Sequence, residues 1–362
     1  MTVTTTSQLT APVNVVYQTQ LLRRAQMVLP YFIGTTPASI TSNSGTFTAK
    51  WRRYEHLTPV TTALTEITGS LNFPTRTPVQ PTITDVTATV SKYGNFIFLN
   101  EEVNLLNITD NVMELTGVLG ENAGRSLNRL QRNEAEDNAT QTFSGQATTA
   151  TAINGAATAS GFISRTNIAN VVNTLERNDG RKFMPMTRGS TNIGTAPVRE
   201  SFWGITHPDV GEDIRLLTGF QSVETYAGQT ETESGEIGHI GGVRFIVSSE
   251  STIDTTLGAT LGSTSATTDG RATGARYDRY NVVFMARDAV GSLGLDATHV
   301  KEVYRPEDNL PAVMLISHAK GSAGTADPLN EVASIGWKSW HAAKILNSSW
   351  VRTLVCAASR LS

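Results

Sequence analysis

The chain has 362 residues, a length that implies two or three compact units or one large one. Hydrophobic residues make up 39% and charged residues 17%, below the ~45–50% and ~25% of ordinary soluble domains. A net charge of −3 and a single cysteine, with no apolar run near the ~18–20 residues of a membrane helix, exclude an internal disulfide, a Cys-based zinc cluster, a helical membrane span and a strongly basic grip on nucleic acid.

Threonine fills the compositional gap: there are 51, and this β-branched residue favours strands and extended segments. Of the 29 basic residues 22 are Arg and 7 are Lys, a bias suited to ion pairs at interfaces. The start, MTVTTTSQLT, has neither a basic nor an apolar region of the kind a secretory signal needs, so none is expected.

Residues 1–45 read as an arm with one helical patch, Val15–Leu29, closed by Pro30. Residues 46–54 alternate as a strand, with Phe47, Ala49 and Trp51 on one side and Thr48, Lys50 and Arg52 on the other. A second extended stretch covers 82–99. Between them, 55–81 carries Pro59, Pro74, Pro78 and Pro81 with almost no periodicity. Two strands joined by a long Pro/Thr-rich tip make a projecting hairpin, which is marginal in water unless something outside it gives support.

A long helix is expected from Asn111 to near Phe143, with Val112, Leu115, Leu119, Ala123, Leu127 and Leu130 recurring at three- and four-residue steps. Residues 144–161 read as a small-residue loop and Thr166–Arg177 as a second helix. Trp203–Thr206 reads as a strand, followed by a helix opened by His207-Pro208-Asp209. Val243–Val247 and Tyr280–Met285 read as strands, and 251–276 as a Ser/Thr/Gly/Ala loop. The segment 329–358 reads as strands turning at Asn347-Ser348-Ser349, with a helix from Trp337 to Leu346 as the other pattern it permits.

No catalytic constellation stands out: there is no G-x-S-x-G elbow, no H-E-x-x-H and no P-loop. His207 and Asp209 are expected to set a helix entry. The run Gly235–Gly242 precedes a strand, the wrong polarity for a phosphate loop, and reads as a turn feeding it. Cys356 reads as a buried small hydrophobe. No catalytic, metal or cofactor-binding residue is assigned, and no cofactor.

Several stretches taken in order resemble a known family. They are Lys50-Trp51-Arg52-Arg53-Tyr54-Glu55, Pro59 through Leu64-Thr65-Glu66, Tyr93-Gly94-Asn95, the long helix, and His207-Pro208-Asp209-Val210 with Asp213-Ile214-Arg215. Gly235-Glu236-Ile237-Gly238 through Gly241-Gly242-Val243-Arg244-Phe245, and Gly336-Trp337-Lys338 with Ala342-Ala343-Lys344, complete the set. Together they are similar to the major capsid proteins of N4-like tailed bacteriophages, which have the HK97-type fold.

The resemblance implies an α+β chain with five parts. Residues 1–45 would be an N-terminal arm and 46–100 an extended-loop hairpin. Residues 101–145 would hold the peripheral domain with its spine helix, 146–290 the axial domain, and 291–362 strands returning to the peripheral domain. It implies a non-enzymatic protein that assembles with itself into hexamers and pentamers of an icosahedral shell in the virion, built in the host cytoplasm, around double-stranded DNA contacted without sequence preference. Decoration or cement, scaffolding and portal proteins would be its other partners, with no membrane. Trp51, Arg52, Arg53, Arg76 and Glu66 are the candidates for contact between subunits. A β-rich tail or surface-layer protein fits the composition too, but the long helix and the lack of internal repeats weigh against it.

Overall fold

The structure is a computed structural model that describes residues 30–41, 45–63, 79–102, 111–145, 147–156, 161–183, 198–226, 232–261, 270–296, 303–304, 313–322 and 327–360. The helical patch expected at Val15–Leu29 lies outside them, as do Glu66 and Arg76.

The strands in chain order are β1 (Thr36–Thr41), β2 (Thr48–Tyr54), β3 (Ile83–Thr89), β4 (Ser91–Asn100), β5 (Thr140–Phe143), β6 (Phe202–Thr206), β7 (Gln221–Ser222), β8 (Glu236–Ile240), β9 (Val243–Val247), β10 (Ile253–Asp254), β11 (Arg279–Met285), β12 (Val290–Asp296), β13 (Val303–Tyr304), β14 (Val313–His318), β15 (Val332–Ile345) and β16 (Val351–Cys356). Among the described residues three α-helices accompany them: α1 (Asn111–Asp137), α2 (Arg165–Arg177) and α3 (Pro208–Arg215). None is long and apolar enough to cross a membrane.

Two sheets organise the chain. In the first, β1, β12, β15, β14 and β13 follow one another and β4 also pairs with β15. Odd-numbered residues on β4, β14 and β15 face α1, so Ile97, Leu99, Val313, Leu315, Ile335 and Trp337 close on Leu115, Leu119, Ala123 and Leu127. These helix residues are the stripe legible in the sequence. β15 runs as one strand of 14 residues, which removes the helical option for Trp337–Leu346.

The second sheet has the order β5-β16-β11-β6-β9-β8-β7, with β10 on β11. Helices α2 and α3 cover one face through Ile168, Val171, Val172, Leu175, Val210 and Ile214, packed on Phe245, Val282, Phe284 and Leu354. The Ser164 hydroxyl caps α2 by accepting from Asn167 N at 3.2 Å. β8 and β9 are joined by Gly241-Gly242, with φ of 61° and 87°, the left-handed pair that a two-residue hairpin demands. The expected turn is therefore only these two glycines; Glu236–Ile240, ahead of them, is itself a strand.

Pairing redraws the five expected parts. Residues 30–41 are not a free arm: Tyr31 and Phe32 are buried and β1 pairs in parallel with β12. Residues 91–100 belong to the first sheet rather than to the hairpin. The long helix stops at Asp137 instead of near Phe143, because Thr140–Phe143 pairs in parallel with Arg352–Val355. β16 lies inside the second sheet, between β11 and β5, so not all of 291–362 stays with the first sheet.

The two sheets meet at the end of α1. The Glu136 carboxylate is buried there. It accepts from Tyr31 Oη at 3.1 Å, from Asn281 Nδ2 at 3.1 Å and from Thr252 N at 3.5 Å. Tyr31 Oη also meets Ser251 Oγ at 2.9 Å. About two and three turns earlier, Arg129 and Arg125 each reach the buried Glu250 carboxylate at 2.5 Å, and Arg132 donates to the Glu250 carbonyl oxygen. Burial raises the Glu136 pKa above the ordinary carboxyl value. Burial also opposes ionisation of Glu250, but Arg129 and Arg125 outweigh it and hold that carboxyl below its ordinary value.

The two carboxylates therefore give stability opposite dependences on pH. Native Glu136 holds its proton more tightly than the unfolded chain does, so its contribution falls as pH rises from ~4.3 through its raised native value. The contribution of Glu250 is present above the ordinary carboxyl value and is lost as pH falls through its lowered one. Glu136→Gln should leave the fold intact and flatten the decline in melting temperature above about pH 4.3, the ordinary carboxyl value; an unchanged slope would refute the assignment. Glu250→Ala should cost about 1–3 kcal/mol at neutral pH, limited because Arg125 and Arg129 are half exposed, as measured by urea unfolding.

Candidate subunit-contact site

The β2–β3 hairpin pairs antiparallel from Thr48↔Thr89 to Tyr54↔Ile83. Its alternation turns Ala49 and Trp51 towards the first sheet, where they pack with Ile40, Ala88, Val90 and Leu293. Trp51 lies so close to β12 that a Cβ on Gly291 would sit 3.1 Å from its ring. Arg52 faces Asp85 across the ladder and binds it twice, at 3.0 and 3.3 Å, with Lys50 3.2 Å from the same carboxylate. The Arg52 hydrogen bond, and then that of Lys50, hold the Asp85 pKa below its ordinary value against burial.

Arg53 contacts Glu55 at 2.7 Å and donates to the Leu346 carbonyl at 3.2 Å. Thr84 Oγ1 donates to Glu55 at 2.7 Å, and Thr84 first, then Arg53, lower the Glu55 pKa. The three described candidates are thus brought together, but on partners within their own chain. Trp51 and Arg53 fasten the hairpin to the body, and Arg52 fastens one strand to the other.

Large apolar side chains are among those left without cover. Tyr54 is 65% exposed, and Leu57, Val60, Val79 and Ile83 are exposed on the same distal half of the hairpin. A second exposed set lies on β4, where Phe96 and Phe98 point away from α1 with ring centroids 5.1 Å apart, edge to face. Beside Phe98, a hollow of about 230 Å³ is lined by His318, Ser322, Val332, Ala333 and Ser334. Neither set was among the sequence candidates. The signal available was an apolar residue on the polar phase of a strand: Tyr54 follows Arg52, and Phe96 and Phe98 share a phase with Lys92.

The other motifs have local roles. His207 Nδ1 accepts from Asp209 N at 3.2 Å as the cap of α3. Asp209 accepts from Tyr280 Oη at 2.9 Å and pairs with Arg271 at 3.2 Å. Burial lowers the His207 pKa, keeping the ring neutral as a cap acceptor should be. Cys356 is buried, and burial pushes its thiol pKa far up, which makes it a poor nucleophile.

No family model and no curated protein matches the chain. Solved structures do. The capsid of Ralstonia phage GP4 is similar over 92% of this chain and 92% of its own, with a TM-score of 0.58 at 12% identity. The acid-stable capsid of Helicobacter pylori bacteriophage KHP30 is similar over 91% of both chains, with a TM-score of 0.50 at 11% identity. The capsid of cyanophage Pam1 is similar over 90% of this chain and 88% of its own, with a TM-score of 0.50 at 12% identity. The chain has the fold of phage capsid subunits, the HK97-type α+β fold expected from the sequence.

The roles inside the hairpin can be separated by substitution. Trp51→Ala should free its base, at a cost of about 2–3 kcal/mol for a half-buried aromatic ring. Hydrogen exchange of residues 45–63 and 79–90 should rise while the second sheet is unaffected. Arg52→Ala removes a solvent-exposed pair and should change exchange little. The reverse order would show that charge, not packing, anchors the hairpin.

Proposed function

We propose that this chain is a major capsid protein whose copies self-assemble into the hexamers and pentamers of an icosahedral head enclosing phage DNA. The observation that carries the reading is the likeness of fold over nine-tenths of both chains to the capsid of Ralstonia phage GP4. The hairpin supports it independently. The ion-paired groups of its two strands find partners within the chain, whereas Tyr54, Leu57, Val60, Val79 and Ile83 are exposed, and apolar surface on a projecting arm is relieved when another copy covers it. The protein acts by structure rather than catalysis. Membership of the N4-like group rests on the motif order alone.

The shell reading assigns each part a task. The second sheet, with α2 and α3, would meet its copies at the centre of each capsomer. The first sheet and α1 would form the outer body, and the hairpin would overlie a neighbour. A net charge of −3 suits a wall that touches packaged DNA weakly and without sequence preference. Scaffolding, portal and decoration or cement proteins would be the remaining partners, with assembly in the host cytoplasm before the virion is complete.

Each contact is weak, but a subunit in a shell makes many, so a local opening is closed again by those that hold. Covalent locking is not required. There is no lysine between residues 51 and 91 to supply an amine at the hairpin tip, and Cys356 is buried.

Three measurements test the reading. The purified chain, viewed by electron microscopy, should form capsomers or shells; a stable monomer under all conditions would refute it. Deleting residues 60–80 should leave a folded chain that forms no stable shells, and normal particles from that deletion would sink the role given to the hairpin. Assembled particles run on a denaturing gel without boiling or reductant should give one band near 38.9 kDa; a ladder would show covalent links.

A further inference from the structure

The contact between α1 and β15 is apolar at Leu119, Leu127, Ile335 and Trp337, but one level of it is polar and buried. Two hydrogen bonds set the register of helix on strand: Trp337 Nε1 donates to Asn122 Oδ1 at 3.0 Å, and Ile345 N donates to Glu134 Oε1 at 3.1 Å. His341 stands midway between the two strand residues, and Asn128 midway between the two helix residues. Both are buried, as is Gln131 one turn further along. His341 is odd-numbered, so it faces α1, and its ring lies 5.5 Å from that of Phe32. Among the described residues neither ring nitrogen makes a hydrogen bond of normal geometry, nor does Asn128 Nδ2 or either polar atom of the Gln131 side chain. Buried polar atoms are nearly always paired, so five orphans at one level mark a weak place in the seam.

The charged groups around His341 are engaged elsewhere. On α1, Arg129 and Arg132 turn to Glu250, and Glu136 to Tyr31. β3 carries only Asp85, bound by Arg52 and Lys50. β4 offers Lys92 and Tyr93, and β12 only Asp296 at its far end. On β15 itself, Lys338 lies over the Trp340 ring and Lys344 pairs with Glu134. Burial therefore brings the His341 pKa down to about 4, against an opposing pull from the Leu293 backbone. Beside the ring is a cavity of about 300 Å³, lined by His341 together with Tyr93, Asn133, Glu134, Asp137 and Asn138. Glu134 is already held by Ile345 N, by Lys344 at 3.2 Å and by Asn138 Nδ2 at 2.7 Å. The Asp137 carboxylate is exposed and enters no ion pair among the described residues.

We infer that His341 is an acid-sensitive switch in the α1–β15 seam: once protonated, its ring leaves the seam for the adjacent cavity, where the Asp137 carboxylate receives it, and the second half of α1 loosens from β15. A neutral imidazole tolerates a dry seam; an imidazolium, with two N–H groups to satisfy and a charge to compensate, does not. A released ring takes up its proton near pH ~6.5, the buried ring only near pH 4. The closed seam thus binds fewer protons than the open one, and its stability is lost as pH falls between those two values. The inference goes beyond the assembly reading and does not depend on it, since the seam lies within one chain.

Hydrogen exchange of the full chain, corrected for the intrinsic pH dependence of exchange, tests this. Between pH 7 and 4.5 the protection of residues 126–137 and 338–345 should fall at least tenfold. His239, also buried with a pKa near 4, lies on β8 in the second sheet, so its titration is read separately. His341→Leu fills the same slot with an apolar group that cannot charge, and the loss of protection in α1 and β15 should disappear. An equal loss in that variant would overturn the proposal, as would a wild-type chain whose α1 and β15 stay protected at pH 4.5. Should the leucine variant not fold, His341→Gln, uncharged at every pH, gives the same comparison. Asp137→Asn should move the midpoint of loosening to lower pH; an unmoved midpoint would overturn the part given to Asp137.

Discussion

A single carboxylate, Glu136, holds the two halves of the subunit in register. It stands where the last turn of α1 meets the N-terminal turn at Tyr31, the 251–252 segment and β11. An ionisable group out of water is tolerated only when its lone pairs are used, and here all three neighbours donate to it. Ser251 completes the arrangement by meeting the same Tyr31 hydroxyl. Moving one sheet relative to the other would strand this group, so α1 acts as a rigid strut between them. The Arg125, Arg129 and Arg132 contacts to Glu250 repeat the tie further along the same helix.

The surface follows a different rule. On the hairpin, Lys50, Arg52, Arg53, Asp85 and Glu55 all find partners in their own chain, and several large apolar residues stay uncovered. Attraction between copies built on such residues is short-ranged and little screened by salt, whereas one built on free charges would weaken at physiological ionic strength.

Much of this was legible because it is local. The α2 face of Ile168, Val171, Val172 and Leu175 shows in a thirteen-residue window, and so do the alternation of β2 and the cores of β9 and β11. What was not legible is set by partners far along the chain. The α1 pattern fades slowly into polar residues, and only the parallel pairing of Thr140–Phe143 with Arg352–Val355 ends the helix at Asp137. Pro30–Thr41 looked like an arm because its partner β12 lies some 250 residues away, as the Thr36–Asp288 hydrogen bond illustrates at a separation of 252. The basic residues Arg52 and Arg53 invited an intersubunit role, but the cross-strand register that hands Asp85 to Arg52 is a property of the hairpin as folded.

The position of β16 has a consequence for how the chain is made. It fills the slot between β5 and β11, and Thr142 bonds the carbonyl of Thr353, 211 positions onward. Until the ribosome has released residues 351–356, β5 has no partner and the β11 edge stands open. Loop-closure entropy makes so distant a pairing slow, and an open edge invites the wrong strand meanwhile. A nascent copy therefore cannot finish its second sheet early. Chaperone demand should be concentrated on the interval between synthesis of β11 and arrival of β16.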